Sequence, residues 1–407
     1  MIGANPDGRK NFLAGTHRVV DPATTLARTL PLASKMGITR LAVLTGLDTI
    51  GIPVAAAVRP NSRSIAVHQG KGQSVEAAKA SALMEAAECY HAEMIDLPLR
   101  RLSSPEISAR AEAAVPAELP LCRGRMYRGE RLLWVEAKDL FSGRPFWVPY
   151  ELVNLDFAEE EPVAGLFQAS TNGLAAGNHW LEAVLHALYE TIERDALSLW
   201  RARHETGEVG AALDPALLAQ TAAQRLLAAF AQANIVVRVW DITSDIGVPA
   251  FICIAASCAA DVADEPELGS GCHLDRDIAL SRALTEAAQS RLTRISGARD
   301  DFEAKTYAPS VRAARGKSAD RWLAAPPHAQ FTAEPDLAGR TLRHDLDNVL
   351  DRLAKADIRH VGCVDLTCPD FGIPVARLVV PGLEGPWTPP GGEYSPGARA
   401  QAIACAS

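Results

Sequence analysis

The chain has 407 residues, length for two or three domains with a sizeable core. Its 48% hydrophobic and 22% charged content is that of an ordinary globular protein, and the net charge of −8 argues against nonspecific nucleic-acid binding. No apolar run approaches a membrane span, and the first fifteen residues lack the apolar core of a secretory signal. The eight cysteines form no CxxC pair, so reduced thiols in a cytoplasmic protein are expected rather than a zinc site or a disulfide framework.

In chain order, residues 22–36 read as a helix, with Asp21 as N-cap and Pro22 in its first turn. Short β-like runs follow at 40–44, 54–59 and 64–67. The tract Gln69-Gly-Lys-Gly-Gln-Ser74 reads as a turn that opens a helix over 75–95, capped by Ser74. Strands are expected at 132–137 and 145–148, and a loop at Glu159–Pro162. A second small-residue turn, 168–177, precedes a helix over 178–203, and another helix is expected near 215–233. Strands at 235–241 and 250–256 lead to a third such turn, 269–275, and a third long helix over 275–296. Residues 297–340 read as an irregular surface excursion. A helix near 342–356 and strands at 359–366 and 375–380 complete the ordered part. Residues 1–16 are expected to be an N-terminal tail and 385–407 a Pro/Gly-rich C-terminal one. No clean linker separates the three long helices, which argues for one composite domain over 17–384.

Those three helices share a phrase: Ala82-Leu-Met-Glu85-Ala-Ala-Glu88, Ala187-Leu-Tyr-Glu190-Thr-Ile-Glu193 and Ala283-Leu-Thr-Glu286-Ala-Ala-Gln289. Residues three apart share a helix face, so each copy projects two oxygen-bearing side chains together. Ala, Leu and Glu are strong helix formers, and a solvated acidic face is the plain reading of any single copy. Three copies, each behind a small-residue turn, point instead to faces that converge on an acidic pocket. Oxygen ligands without imidazole or thiolate favour Mg²⁺, Mn²⁺ or Ca²⁺, and Mg²⁺ commonly enters with substrate phosphates. A P-loop is absent, as is a dinucleotide fingerprint. Lys71 could reach a phosphate or simply belong to a turn. Arg194 and Arg291 could pair a carboxylate or contact a phosphate, and Asn172 could be a turn residue or a ligand. No nucleophile–base pair is evident, and His186 reads as a packed or surface histidine.

The tract Gly70-Lys-Gly-x-Ser74…Ser81-Ala-Leu-Met-Glu85-Ala-Ala-Glu88 resembles the first signature of the YcaO family. Ser170-Thr-Asn-Gly-Leu-Ala-Ala-Gly177 with Glu182…Glu190-Thr-Ile-Glu193-Arg194-Asp195-Ala196 resembles its second, and Ala283…Arg291 its third. The resemblance runs from about residue 17 to 384. It implies an α+β fold with mixed or antiparallel sheets and packed long helices, binding ATP without a P-loop. It also implies phosphorylation of a peptide backbone amide oxygen, which a nucleophile then replaces. Carried over, Glu85, Glu88, Glu182, Glu190 and Glu193 would hold Mg²⁺. Lys71, Ser81, Asn172, Arg194, Glu286, Gln289 and Arg291 would line the ATP site. Glu182 and Glu286 could serve metal or hydrogen-bonding roles.

Two departures stand out: Cys89 replaces the Arg that usually follows the second Glu, and the end, Gln401…Ser407, lacks the Pro-x-Pro-x-Pro pattern of azoline-forming members. The tracts Gly37-Ile-Thr-Arg40, Thr45-Gly-Leu-Asp48, Gly51-Ile-Pro-Val54, Arg59-Pro-Asn-Ser-Arg63 and Gly372-Ile-Pro-Val375 resemble the subgroup that works with a TfuA partner and is linked to thioamidation. The expected partners are therefore a peptide or protein substrate, a TfuA-like protein, a sulfur donor and a second copy in a homodimer, with neither nucleic acid nor membrane.

Overall fold

The computed structural model describes residues 5–158, 165–204, 210–257, 266–299, 307–386 and 395–406. The expected loop at Glu159–Pro162 lies outside these residues. Helix α1 is Pro22–Thr29, followed by strands β1 (Arg40–Val43), β2 (Val54–Val58) and β3 (Val67–Lys71) and helix α2 (Val75–Glu93). Then come β4 (Leu99–Leu102), α3 (Ser104–Ser108), β5 (Leu132–Asp139), β6 (Pro145–Pro149), β7 (Leu174–Ala176) and α4 (Trp180–His204). Next are β8 (Ala212–Leu213), α5 (Pro215–Leu218), α6 (Gln224–Gln232), β9 (Ile235–Asp241), β10 (Ala250–Ser257), β11 (Glu267–Cys272) and α7 (Arg276–Ser296). The chain finishes with α8 (Pro309–Leu323), β12 (Pro327–Ala329), α9 (Leu342–Lys355), β13 (Gly362–Asp365), β14 (Val375–Val379) and α10 (Ala398–Ala406).

One unit recurs three times. In the first, α1 leads into the antiparallel meander β1-β2-β3, whose last strand feeds α2. In the second, α6 leads into the antiparallel meander β9-β10-β11, which feeds α7. The third is assembled from distant segments: α9 precedes β13 and β14, β14 pairs antiparallel with β7, and β7 feeds α4. This third meander continues through β5 into β4 and β6 as a larger sheet. Only β12 and β8 pair in parallel among the named strands.

Alternation along each strand explains how the units meet, because successive side chains point to opposite faces. On β10, Phe251, Cys253 and Ala255 pack with α7, whereas Ile252 and Ile254 pack with α4. On β14, Ala376 and Leu378 join the α4 core, and Val375 and Val379 join the α2 core. On β2, Ala55 and Ala57 face α2, and α7 packs against the opposite side of the same sheet. Each meander is thus held between its own long helix and that of a neighbour, and the three pairs close a ring.

Several elements differ from the sequence reading for local reasons. The segment 22–36 is α-helical only to Thr29; a 3-10 stretch, Leu30–Met36, follows, because Pro31 has no N–H to continue the ladder. The expected helix 215–233 is two pieces, and the expected irregular excursion 297–340 contains α8 and β12 among its described residues. In the tail after 385, residues 398–406 form α10, whose first turn is capped by Glu384 through Gly397 N and Ala400 N at 2.7 and 2.9 Å. The glycine-bearing turns before α2 and α7 are largely strand: β3 takes in Gln69–Lys71 and β11 takes in Gly269–Cys272. Glycine is needed there for close packing. A Cβ on Gly70 would lie 2.1 Å from Ala82 N, and one on Gly271 would lie 2.2 Å from Ala279 O. Among the described residues no helix is long and apolar enough to cross a membrane.

Candidate functional site

The three repeated phrases fall at one depth. Glu85 stands eleven residues beyond the N-cap Ser74, Glu286 eleven beyond the N-cap Asp275, and Glu190 eleven beyond His179, which precedes α4. Eleven residues are three helical turns, so equivalent residues emerge at the same level and on the same side of each helix. All three line a cleft of about 820 Å³ at the centre of the ring, with Glu88, Glu193 and Gln289 one turn further along. Lys71, Ser81, Glu182 and Arg194 line it too.

Asn172 and Arg291 are not among the lining residues. Thr171 and Leu174 of the same turn face the cleft, while Asn172 Oδ1 is buried without a hydrogen-bond partner. Arg291 lies toward Asp48, with Nε 3.8 Å from Oδ2. Glu182 lines the cleft near the start of α4, where its carboxylate accepts hydrogen bonds from Val19 N at 2.6 Å and Asn178 N at 2.8 Å. The segment before α1 is thereby tied to α4, and its Phe12, Gly15 and Arg18 form one wall of the cleft. Residues 5–16, read from sequence as a tail, thus include part of the site.

The carboxylates divide by what they meet. Glu88 Oε1 accepts from Ala176 N at 2.7 Å, and Glu193 Oε1 accepts from Ser270 Oγ at 2.7 Å. Glu286 pairs with Lys71, Oε2 to Nζ at 2.6 Å. Burial alone would raise Glu286, but Lys71 and Arg194 override it and bring its pKa down to about 2. Glu85 and Glu190 form no ion pair among the described residues, and burial pushes each up to about 7. Glu88 also rises well above its ordinary value, chiefly through burial. Arg194, drawn to Glu193, Glu286 and Glu190, is held more firmly protonated than usual although burial opposes this.

Two half-buried carboxyls that form no ion pair among the described residues suit a hard divalent cation. No three His, Cys, Asp or Glu side chains among the described residues form a ready-made metal cage. A cation here would complete its shell from water and phosphate oxygens, as Mg²⁺ does with nucleotide substrates. Lys71 and Arg194 carry positive charge into the cleft, with Arg18, Arg282, Arg294 and Arg299 at its walls.

The sequence reading missed these last four arginines. Arg282 was accessible to it, since it stands one turn before Glu286 on the same face of α7. Arg18 was not, because only the fold brings the segment before α1 across the cleft. Cys89, which replaces the expected basic residue, is buried and its thiol is pushed well up by burial. It adds no charge to the site.

Comparison with known proteins agrees with this geometry. The family model described as YcaO cyclodehydratase, ATP- and Mg²⁺-binding, matches residues 69–384. A Rhizobium leguminosarum bv. trifolii protein, named for its place in the tfuA 3′ region, is 34% identical over 375 residues, covering 90% of this chain and 88% of its own. An uncharacterised Methanothermobacter thermautotrophicus protein is 36% identical over 376 residues, covering 90% and 95%. Among solved structures, YcaO from Methanopyrus kandleri bound with AMPPCP and Mg²⁺ matches with a TM-score of 0.73 at 24% identity, over 92% of this chain and 94% of that one. A heterocyclase in complex with substrate and cofactor matches with a TM-score of 0.74 at 22% identity; this chain spans 53% of its length. At these identities the two structures share the fold. The relatives and the family model go further: the chain belongs to the YcaO family of ATP-dependent, Mg²⁺-binding peptide-modifying enzymes.

Proposed function

We propose that this chain uses Mg·ATP to phosphorylate a backbone amide oxygen of a ribosomally made peptide or protein, and that sulfur then replaces that oxygen. A TfuA-like protein would be its partner. The observation that carries the phosphoryl-transfer half is the convergence of Glu85, Glu190 and Glu286 on one cleft beside Lys71 and Arg194. Glu85 and Glu190, with Glu88 and Glu193 beside them, would hold the cations. Bound Mg²⁺ would neutralise charge on the phosphates during transfer. Lys71, Arg194 and Gln289 would orient the nucleotide, with Ser81 at the same wall.

An amide oxygen is a poor leaving group, and phosphorylation turns it into a good one. The amide oxygen attacks the γ-phosphorus, and the bond to the β–γ bridging oxygen breaks to release ADP. A sulfide equivalent adds to the activated carbon. Phosphate then departs with the former amide oxygen, a proton is lost, and C=S remains. Support for the sulfur half comes from the Rhizobium relative placed in a tfuA 3′ region.

The rival outcome is an azoline, formed when a Cys, Ser or Thr side chain of the peptide attacks instead; the family description as cyclodehydratase and the likeness to a heterocyclase favour it. Incubation with ATP, Mg²⁺, sulfide, the TfuA-like partner and a peptide encoded beside the gene separates the two by mass. A gain equal to sulfur minus oxygen supports the thioamide. A loss of water supports the azoline, and ATP turnover indifferent to peptide contradicts both.

A further inference from the structure

The second position of each repeated phrase is held by a strand from a neighbouring unit, in cyclic order. Glu88 on α2 accepts from Ala176 N of β7 at 2.7 Å. Glu193 on α4 accepts from Ser270 Oγ of β11 at 2.7 Å. Gln289 on α7 donates through Nε2 to Gln69 O of β3 at 2.9 Å. Two of these anchors are backbone groups, and the third is a hydroxyl. Ser270 is fully buried and stands between two helices of the site. Its Oγ lies 3.2 Å from Arg194 Nη1 and 3.2 Å from Glu286 Oε1, and its own N–H donates to Glu286 Oε1 at 3.3 Å.

A serine hydroxyl has one proton to give and lone pairs to accept with. The shortest contact assigns the proton to Glu193, and Arg194 donates into the oxygen. One small side chain therefore fixes the carboxylate of Glu193 and the guanidinium of Arg194, while its backbone fixes Glu286. The flanking Gly269 and Gly271 let β11 come close enough for this: a Cβ on Gly269 would sit 2.2 Å from Ala283 O.

We infer that Ser270 is a positioning residue for Mg²⁺-dependent nucleotide binding, acting through Glu193, Arg194 and Glu286. The inference rests on the Mg·ATP half of the function proposed above and is independent of the sulfur chemistry. Its test is calorimetric titration of Mg²⁺ into the full-length protein with a nonhydrolysable ATP analogue, for wild type, Ser270→Ala and Ser270→Thr. Losing a hydrogen bond to a charged group should raise the Mg²⁺ concentration for half-saturation about tenfold or more in Ser270→Ala. Ser270→Thr, which keeps the hydroxyl, should bind close to wild type. The nucleotide-free melting temperature of each variant separates positioning from folding. Equal Mg²⁺ dependence in wild type and a folded Ser270→Ala overturns the inference, as does equal weakening in the Thr and Ala variants. Mg²⁺-dependent binding without sulfur insertion counts against the sulfur reading alone.

Discussion

Glu85 and Glu190 are cleft carboxyls on which burial outweighs the pull of nearby cations. Burial raises both to about 7, from an ordinary carboxyl value of 4.5. Protons held in the folded but not the unfolded state stabilise the fold below the unfolded pKa, and that stability is lost as pH rises through the folded one. Urea unfolding without Mg²⁺ should therefore show stability falling between about pH 4.5 and 7 from these two groups, with Mg²⁺ restoring more at pH 8 than at pH 5.5. The double variant Glu85→Gln/Glu190→Gln should flatten that dependence and abolish Mg·ATP binding while leaving the circular dichroism spectrum intact. Binding that survives both changes would remove them from the cation site. The spacing of the phrases made these two residues legible in the sequence. Their difference from Glu88 and Glu193 was not, because the anchors Ala176 N and Ser270 Oγ stand 88 and 77 residues away along the chain.

Among elements, the strands that feed the long helices carry the site's precision. Local sequence made Gly70 and Gly271 read as turns, since small residues before an N-cap usually mark one. The fold uses them instead to seat β3 on α2 and β11 on α7, a contact that no local pattern encodes. Gly70→Ala or Gly271→Ala places a methyl against backbone that cannot move aside. Each should cost ~1–3 kcal/mol or more in denaturant unfolding, as overpacked sites do. A variant as stable as wild type would mean the strand can slide. α8 and α10 were missed for another reason. α8 begins at Pro309 with no side-chain cap from Ala308, and α10 has its first turn capped by Glu384, from before the helix, so neither start has a capping side chain at the residue that precedes it.

At the scale of the whole molecule, the ring explains why three phrases separated by about a hundred residues each can share one cleft. The long helices and the acidic faces were readable from periodicity. The ring was not, since its third unit joins β13 and β14 to β7 across about half the length of the chain. The closing segment adds a load of its own. Arg399 on α10 pairs twice with the buried Asp195 of α4, Nε to Oδ1 at 3.0 Å and Nη2 to Oδ2 at 3.1 Å. Asp195 directly follows Arg194, so α10 braces the helix that carries the site. Arg399→Met leaves Asp195 buried without its cation and should destabilise the protein by ~3 kcal/mol, measurable as a lower unfolding midpoint.

A peptide with heavy oxygen in its backbone carbonyls tests directly whether ATP activates the amide oxygen itself. After turnover with ATP, Mg²⁺ and a sulfide source, the label should appear in inorganic phosphate, one atom for each modified amide. Modified peptide with unlabelled phosphate would contradict it.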